Sequence, residues 1–170
     1  MTGAPFAVLR LSGADATDFR ELRLDGLRRH PEAFGASYEE EVRQTLDDSR
    51  RRLENGIVFG ARRKGLPALD GIAGLFIPEG IKTRHKGVLW GMYVRPEARG
   101  LGLGSALVAR VIEHAGGVVE ELTLAVGTSN DQAVSLYRRA GFEEYGLEER
   151  ALKVAGQYYD EALMRLMLVS

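Results

Sequence analysis

Apolar residues recur along this chain with two periods, and the switches between them mark out its elements. Phe6 to Leu11 alternates weakly and predicts a first or edge strand that ends at Ser12-Gly13. From Ala14 to Arg29 the apolar positions Phe19, Leu22, Leu24 and Leu27 fall mostly on one helical face, with Asp15 near the positive end. Pro31 and Gly35 interrupt that repeat. Helical spacing then predicts one helix from Glu39 to Glu54 through Val42, Leu46 and Leu53, closing at Asn55-Gly56. Ile57 to Ala61 and Ala68 to Ile77 read as strands around the charged turn Arg62 to Leu66. The polar loop Pro78 to Lys86 leads to a third strand, Val88 to Val94, so the three strands predict an antiparallel meander.

Pro96 stops that strand, and the period changes again. Gly100, Gly102 and Gly104 follow at alternate positions, and a helix from Gly104 to His114 carries the repeat Leu103, Leu107, Val111. Gly116-Gly117 ends it, Val118 to Val126 supplies another strand, and Gly127 to Asn130 caps a helix from Asp131 to Ala140, closed by Gly141. Strand, helix, strand, helix is the pattern of a parallel crossover. Phe142 to Leu152 and Tyr158 to Val169 complete the chain as two strands joined at Ala155-Gly156-Gln157.

The glycine turn is where chemistry first enters. Without Cβ atoms the backbone can turn sharply and bring its N–H groups close to a ligand, while the new helix aims its positive end at the same point. Such a turn suits a diphosphate, and Arg99 ahead of it can add a charge-assisted hydrogen bond. Two nucleotide-binding patterns do not fit. Starting at Gly100, the sixth position of G-x-G-x-x-G is Ser105, and the lysine of a P-loop is missing. What does match is Arg99-Gly100-x-Gly102-x-Gly104, preceded by Tyr93-Val94-Arg95-Pro96-Glu97, which resembles the signature of the GNAT superfamily of acyl-CoA-dependent N-acyltransferases.

Asn130 to Phe142 resembles the second hallmark of that superfamily, N-x-x-A-x-x-L/F-Y-x-x-x-G-F. On a helix Asn130, Ala133 and Tyr137 share one face. By spacing alone Tyr137 serves equally well as a core tyrosine. The resemblance implies an α/β GNAT fold, a mixed and mostly antiparallel sheet of about seven strands flanked by helices, forming one domain over 1–170. It also implies acetyl-CoA as co-substrate. Backbone groups of Met92, Tyr93 and Val94 would hold the pantetheine arm. Arg99, Gly100, Leu101, Gly102, Leu103, Gly104 and Ser105 would cradle the diphosphate, and Asn130, Ala133 and Tyr137 would line the arm's other side.

Direct acyl transfer needs donors for the developing oxyanion and a proton for the leaving sulfur. A phenol, protonated at neutral pH, makes Tyr137 the expected general acid. The base is less defined. Many members of the superfamily carry a carboxylate on the strand before the signature, whereas Val88 to Val94 holds none. Glu79 and Glu39 to Glu41, all acting through water, His85, and ordered water with no named base are the alternatives, with Glu79 the chosen catalytic partner. Phe34 and Tyr38, in the loop after the first helix, and Trp90 are expected at the acceptor. Acids at Glu148, Glu149 and Asp160 would suit a cationic amine.

Composition narrows the field further. The chain has 170 residues, 45% of them apolar and 28% charged, with formal net charge −1. No global positive field exists to hold nucleic acid or an anionic membrane. The absence of cysteine removes disulfides and thiolate chemistry, and His30, His85 and His114 are too scattered for a metal pair, so no metal is expected. No apolar run is long enough to span a bilayer, and no basic, apolar leader is evident, which predicts a cytoplasmic protein. The expected acceptor is a small-molecule or peptide primary amine, and a homodimer stays open. Two alternatives to a small-molecule enzyme are a protein N-terminal or lysine acetyltransferase and a non-catalytic acyl-CoA sensor.

Overall fold

The computed structural model describes residues 3–169. Its first half runs β1 (Phe6–Arg10), α1 (Ala16–Arg29), α2 (Tyr38–Glu41), α3 (Leu46–Asn55), β2 (Ile57–Arg63), β3 (Gly71–Phe76) and β4 (Lys86–Val94). The second half runs α4 (Leu103–Ala115), β5 (Glu121–Gly127), α5 (Asp131–Arg139), β6 (Glu143–Val154) and β7 (Gln157–Met167). The strands form one sheet in the order β1-β2-β3-β4-β5-β7-β6, with β4 and β5 parallel and every other neighbour antiparallel. This is the mixed, mostly antiparallel seven-stranded sheet that the family resemblance implies.

Most predicted elements are present, and the departures have local causes. The expected helix Glu39 to Glu54 is two helices. Thr45 starts the second by accepting the Asp48 amide at its Oγ1 (3.1 Å), while the Asp48 carboxylate accepts the Thr45 amide (2.7 Å). That reciprocal cap satisfies orphan helix donors and lets the chain turn between Glu41 and Leu46. β3 begins at Gly71 rather than Ala68, because Asp70 is spent on closing the β2–β3 connection. Its buried carboxylate accepts the Arg63 amide and two guanidinium hydrogen bonds at 2.9 to 3.0 Å. Val118 and Val119 donate to the Ala115 carbonyl and so finish α4, which delays β5 to Glu121.

Alternation divides the buried residues between the two faces of the sheet. Phe59, Ala73, Leu75 and Leu89 meet Leu103, Leu107 and Val111 of α4, together with Tyr137 and Phe142. Val58, Ile72 and Tyr93 meet Phe19 and Leu22 of α1 and Leu53 of α3 on the opposite face. Among the described residues no helix is long and apolar enough to cross a membrane.

Candidate active site

β4 and β5 start side by side and then part. They pair only at Lys86–Glu121, Gly87–Leu122 and Val88–Thr123, yet β4 continues to Val94 and β5 to Gly127. The cause lies within β4. Tyr93 stands opposite Ile72 and Trp90 opposite Gly74, so Gly91 and Met92 together face the single residue Ala73. This is a β-bulge, and Gly91 takes the left-handed φ of 67° that a side chain would resist. The bulge bends the strand and leaves a gap whose edges carry unpaired backbone donors and acceptors. It also resets alternation. Trp90 and Tyr93, three residues apart, both face α1 and α3, while Leu89 and Met92 face α4.

At the open end of the gap the chain passes through the glycine turn. Gly100 and Gly102 have φ of 81° and 89°, and a Cβ built on either would meet nothing within 4 Å. The space before them is therefore free, and the 13-residue helix α4 starts there with no side-chain cap on its first amides. Its positive end and its unclaimed N–H groups fit an anionic diphosphate. Gly104 has another use: a Cβ there would stand 3.2 Å from Met92 Cε and 3.4 Å from Leu136 Cδ2, so its small size lets β4, α4 and α5 close together. Leu101 and Ser105 are exposed and Leu103 is buried. Arg99 is exposed and does not turn into the loop. Its Nε donates to the Val94 carbonyl (3.2 Å), and its Nη2 lies 3.4 Å from His30 Nε2.

The second motif lies on the same side. Asn130 caps α5 by accepting the Ala133 amide at its Oδ1 (3.2 Å), which leaves both N–H donors of its side-chain amide for a ligand. Ala133 is half-buried. Tyr137 is 6% exposed and meets Phe142 edge-on, with ring centroids 5.9 Å apart. Burial pushes its phenol above the usual tyrosine range. Its hydroxyl makes no hydrogen bond among the described residues, so the protonated donor is unclaimed. A separate groove of about 420 Å³ runs between α4 and α5, lined by Ser105, Ala109, Leu136 and Arg139 among others; Tyr137 does not line it.

The other face of the gap holds a polar cluster that spacing did not single out. Tyr93 donates to Asp25 (2.8 Å), and burial followed by this hydrogen bond pushes its phenol up to about 12. Burial alone would raise the Asp25 carboxyl, but hydrogen bonds from Arg29 and Tyr93 hold it below the usual range. Arg23 forms a buried ion pair with Glu41 (2.9 Å) and lies over the rings of Phe34 and Trp90. Gly74 makes room for that indole, since a Cβ there would overlap it. Phe34 also meets Tyr93 edge-on, and Tyr38 is half-buried at the start of α2. The turn Pro31–Ala33 contacts β5 and β6 and so crosses from the β4 side to the far wall of the gap.

The base candidates read from sequence are not gathered here. Glu79 is exposed in the loop after β3, toward the end of β4 where pairing with β5 is intact. His85 sits at that same end, its carbonyl accepting the Glu120 amide. Glu41 is committed to Arg23, whose hydrogen bonds and charge outweigh burial and hold its carboxyl below the usual range. Glu40 accepts from Ser37 Oγ, and Glu39 is exposed. The acid missed in the sequence is Glu161. It stands opposite both Gly127 and Glu148 on the face away from α4, and burial, then the Glu148 charge, push its carboxyl up.

A profile of the Acetyltransferase (GNAT) family matches residues 19–142. N-alpha-acetyltransferase RimI of Mycobacterium tuberculosis is 42% identical over 64 residues, 37% of this chain and 39% of that protein. Mycothiol acetyltransferase of Kineococcus radiotolerans is 34% identical over 110 residues, 63% of this chain and 35% of that protein. The chain thus spans well under half the length of these curated relatives. An acetyltransferase of GNAT family from Streptococcus pneumoniae has the same fold, with TM-score 0.83, 24% identity, and coverage of 97% of this chain and 99% of the other. A structure of yncA from Salmonella typhimurium with its cofactor acetyl-CoA superposes with TM-score 0.80 at 19% identity, covering 97% and 95%.

Proposed function

Because the chain belongs to the acetyltransferase (GNAT) family, we propose that it moves the acetyl group of acetyl-CoA directly to the primary amine of a small molecule. The observation that carries this reading is the gap between β4 and β5, with the open glycine turn at its mouth. Met92, Tyr93 and Val94 would hold the pantetheine arm through their backbone. Gly100, Leu101, Gly102, Leu103, Gly104 and Ser105 would hold the diphosphate, with Asn130 and Ala133 on the far side. Bound acetyl-CoA supplies the activated acyl group.

The rest of the chemistry belongs to the chain. Backbone N–H groups at the bulge would stabilise the oxyanion without reorganising, because the strand already holds them in place. As the C–N bond forms and the C–S bond breaks, Tyr137 gives its proton to the sulfur. The amine loses its own proton through water. Glu161, with its raised pKa, is better matched to receive it than exposed Glu79. Phe34, Tyr38 and Trp90 bound the acceptor. The crossing of Pro31–Ala33 over the gap narrows access, which supports a small acceptor.

Peptide N-termini are the second reading, favoured by the likeness to the mycobacterial N-alpha-acetyltransferase. One experiment separates the two. Thiol release from acetyl-CoA is followed across amino acids, polyamines, aminoglycosides and peptides, with no cysteine in the chain to add background. Release with small amines supports the proposal, and release with peptides alone replaces it by the second reading. Silence with acetyl-CoA binding intact by calorimetry turns the reading into a sensor, and silence without binding rejects it.

A further inference from the structure

Arg23 is charged, 7% exposed and only partly used. Its Nε donates to both Glu41 oxygens (3.3 and 3.1 Å), and its Nη2 donates to Oε1 (2.9 Å). The remaining nitrogen, Nη1, has no hydrogen-bond partner among the described residues. It lies 3.3 Å from where a Cβ on Gly91 would stand, so it points at the bulge of β4. Phe34 and Trp90 hold the guanidinium plane, with ring centroids 5.4 and 5.5 Å from Arg23 Cζ. Arg52 brings a second cation to the same Glu41 (3.5 Å) and to the Trp90 face (5.9 Å). Two guanidinium groups share one carboxylate, which leaves a net positive charge in a nearly dry place.

We infer that Arg23 binds a carboxylate of the acceptor, and that the acceptor is an α-amino acid. This rests on the transferase reading above. Glu41 takes the Nε donor and one Nη2 donor, so three N–H groups remain, and one on Nη1 with one on Nη2 form a parallel pair that matches a carboxylate in geometry as well as charge. Because Nη1 points at the bulge on the edge of the gap, an amine one carbon from that carboxylate reaches the gap itself. Across the gap, Glu161 and Glu148 share the face on which Arg23 lies and supply the opposite charge for the ammonium end. A polyamine or aminoglycoside brings a cation to Arg23 where an anion is wanted, and a peptide N-terminus brings a neutral amide.

The chain holds one tryptophan, Trp90, and Arg23 and Arg52 both lie on it, so its emission reports this position without turnover. The wild-type protein is titrated with α-amino acids, their primary amides and the matching decarboxylated amines, and thiol release is followed in parallel. At least one amino acid shifts Trp90 emission, and its amide needs at least about ten-fold more ligand. In Arg23→Gln the acid and amide titrate alike, and KM for the acid rises while kcat is largely kept. An amide that matches its acid in the wild-type protein, or no amino acid that moves the emission, overturns the inference, whether or not Arg23→Gln folds. Emission shifts without thiol release keep the carboxylate site and remove the transferase reading. Release from carboxylate-free amines at equal efficiency does the reverse.

Discussion

Tyr137 combines a buried ring with an unclaimed hydroxyl, and the two properties predict different losses. Tyr137→Phe keeps the packing against Phe142 and removes only the proton donor. Turnover is expected to fall about 10²-fold while acetyl-CoA affinity by calorimetry hardly changes; unchanged turnover would give the proton to water instead. Gly102→Asp acts on the other partner. Its carboxylate would enter the open space before α4 and repel a diphosphate, so acetyl-CoA binding should disappear in the same calorimeter. These residues were legible in the chain because glycine spacing and a helical face are local properties. Arg23 was not, since an arginine among Phe19, Leu22 and Leu27 reads as a break in an apolar face until Glu41 arrives from another helix. Glu161 was hidden for the same reason: its neighbours Gly127 and Glu148 come from other strands.

Elements were readable where one period ran unbroken and misread where a cap intervened. The helix pattern from Glu39 to Glu54 was sound on both sides of Thr45, but the capping pair Thr45 and Asp48 divides it. Thr45→Ala should cost about 1 kcal/mol in urea unfolding, since it removes one reciprocal cap and leaves the core intact. No loss would mean that packing alone fixes the start of α3. Gly91 inside a strand was itself a sign of a bulge, yet only pairing with β3 shows that the bulge ends the contact between β4 and β5. Gly91→Val puts a branched side chain at positive φ beside Arg23. It should destabilise the fold by about 1–2 kcal/mol from backbone strain alone and weaken acetyl-CoA binding. A variant with wild-type stability and affinity would show that the bend does not depend on glycine.

At the scale of the whole molecule, charge placement sets the response to pH. Asp25, Glu41 and Asp70 all have folded pKa values below their ordinary ones, so their protonation favours the unfolded chain. Their contribution is complete above roughly pH 5 and is lost as pH falls through the lowered values, a trend that thermal unfolding from pH 6 to 3 would follow. Glu161 has the opposite sign. Its raised pKa means that ionisation costs stability as pH rises, so Glu161→Gln should melt slightly higher at neutral pH while acetylating more slowly. Equal melting and equal rates would remove it from both roles. The parted strands have a further consequence for how the molecule moves. The backbone ladder across the centre of the sheet consists of three residue pairs, between Lys86–Val88 and Glu121–Thr123. β1 to β4 and β5 to β7 are thus two leaves on a short spine. Amides along the gap should exchange with deuterated solvent quickly in the free protein. They should slow together when acetyl-CoA lies between the leaves, as though the ligand were the missing strand of the sheet.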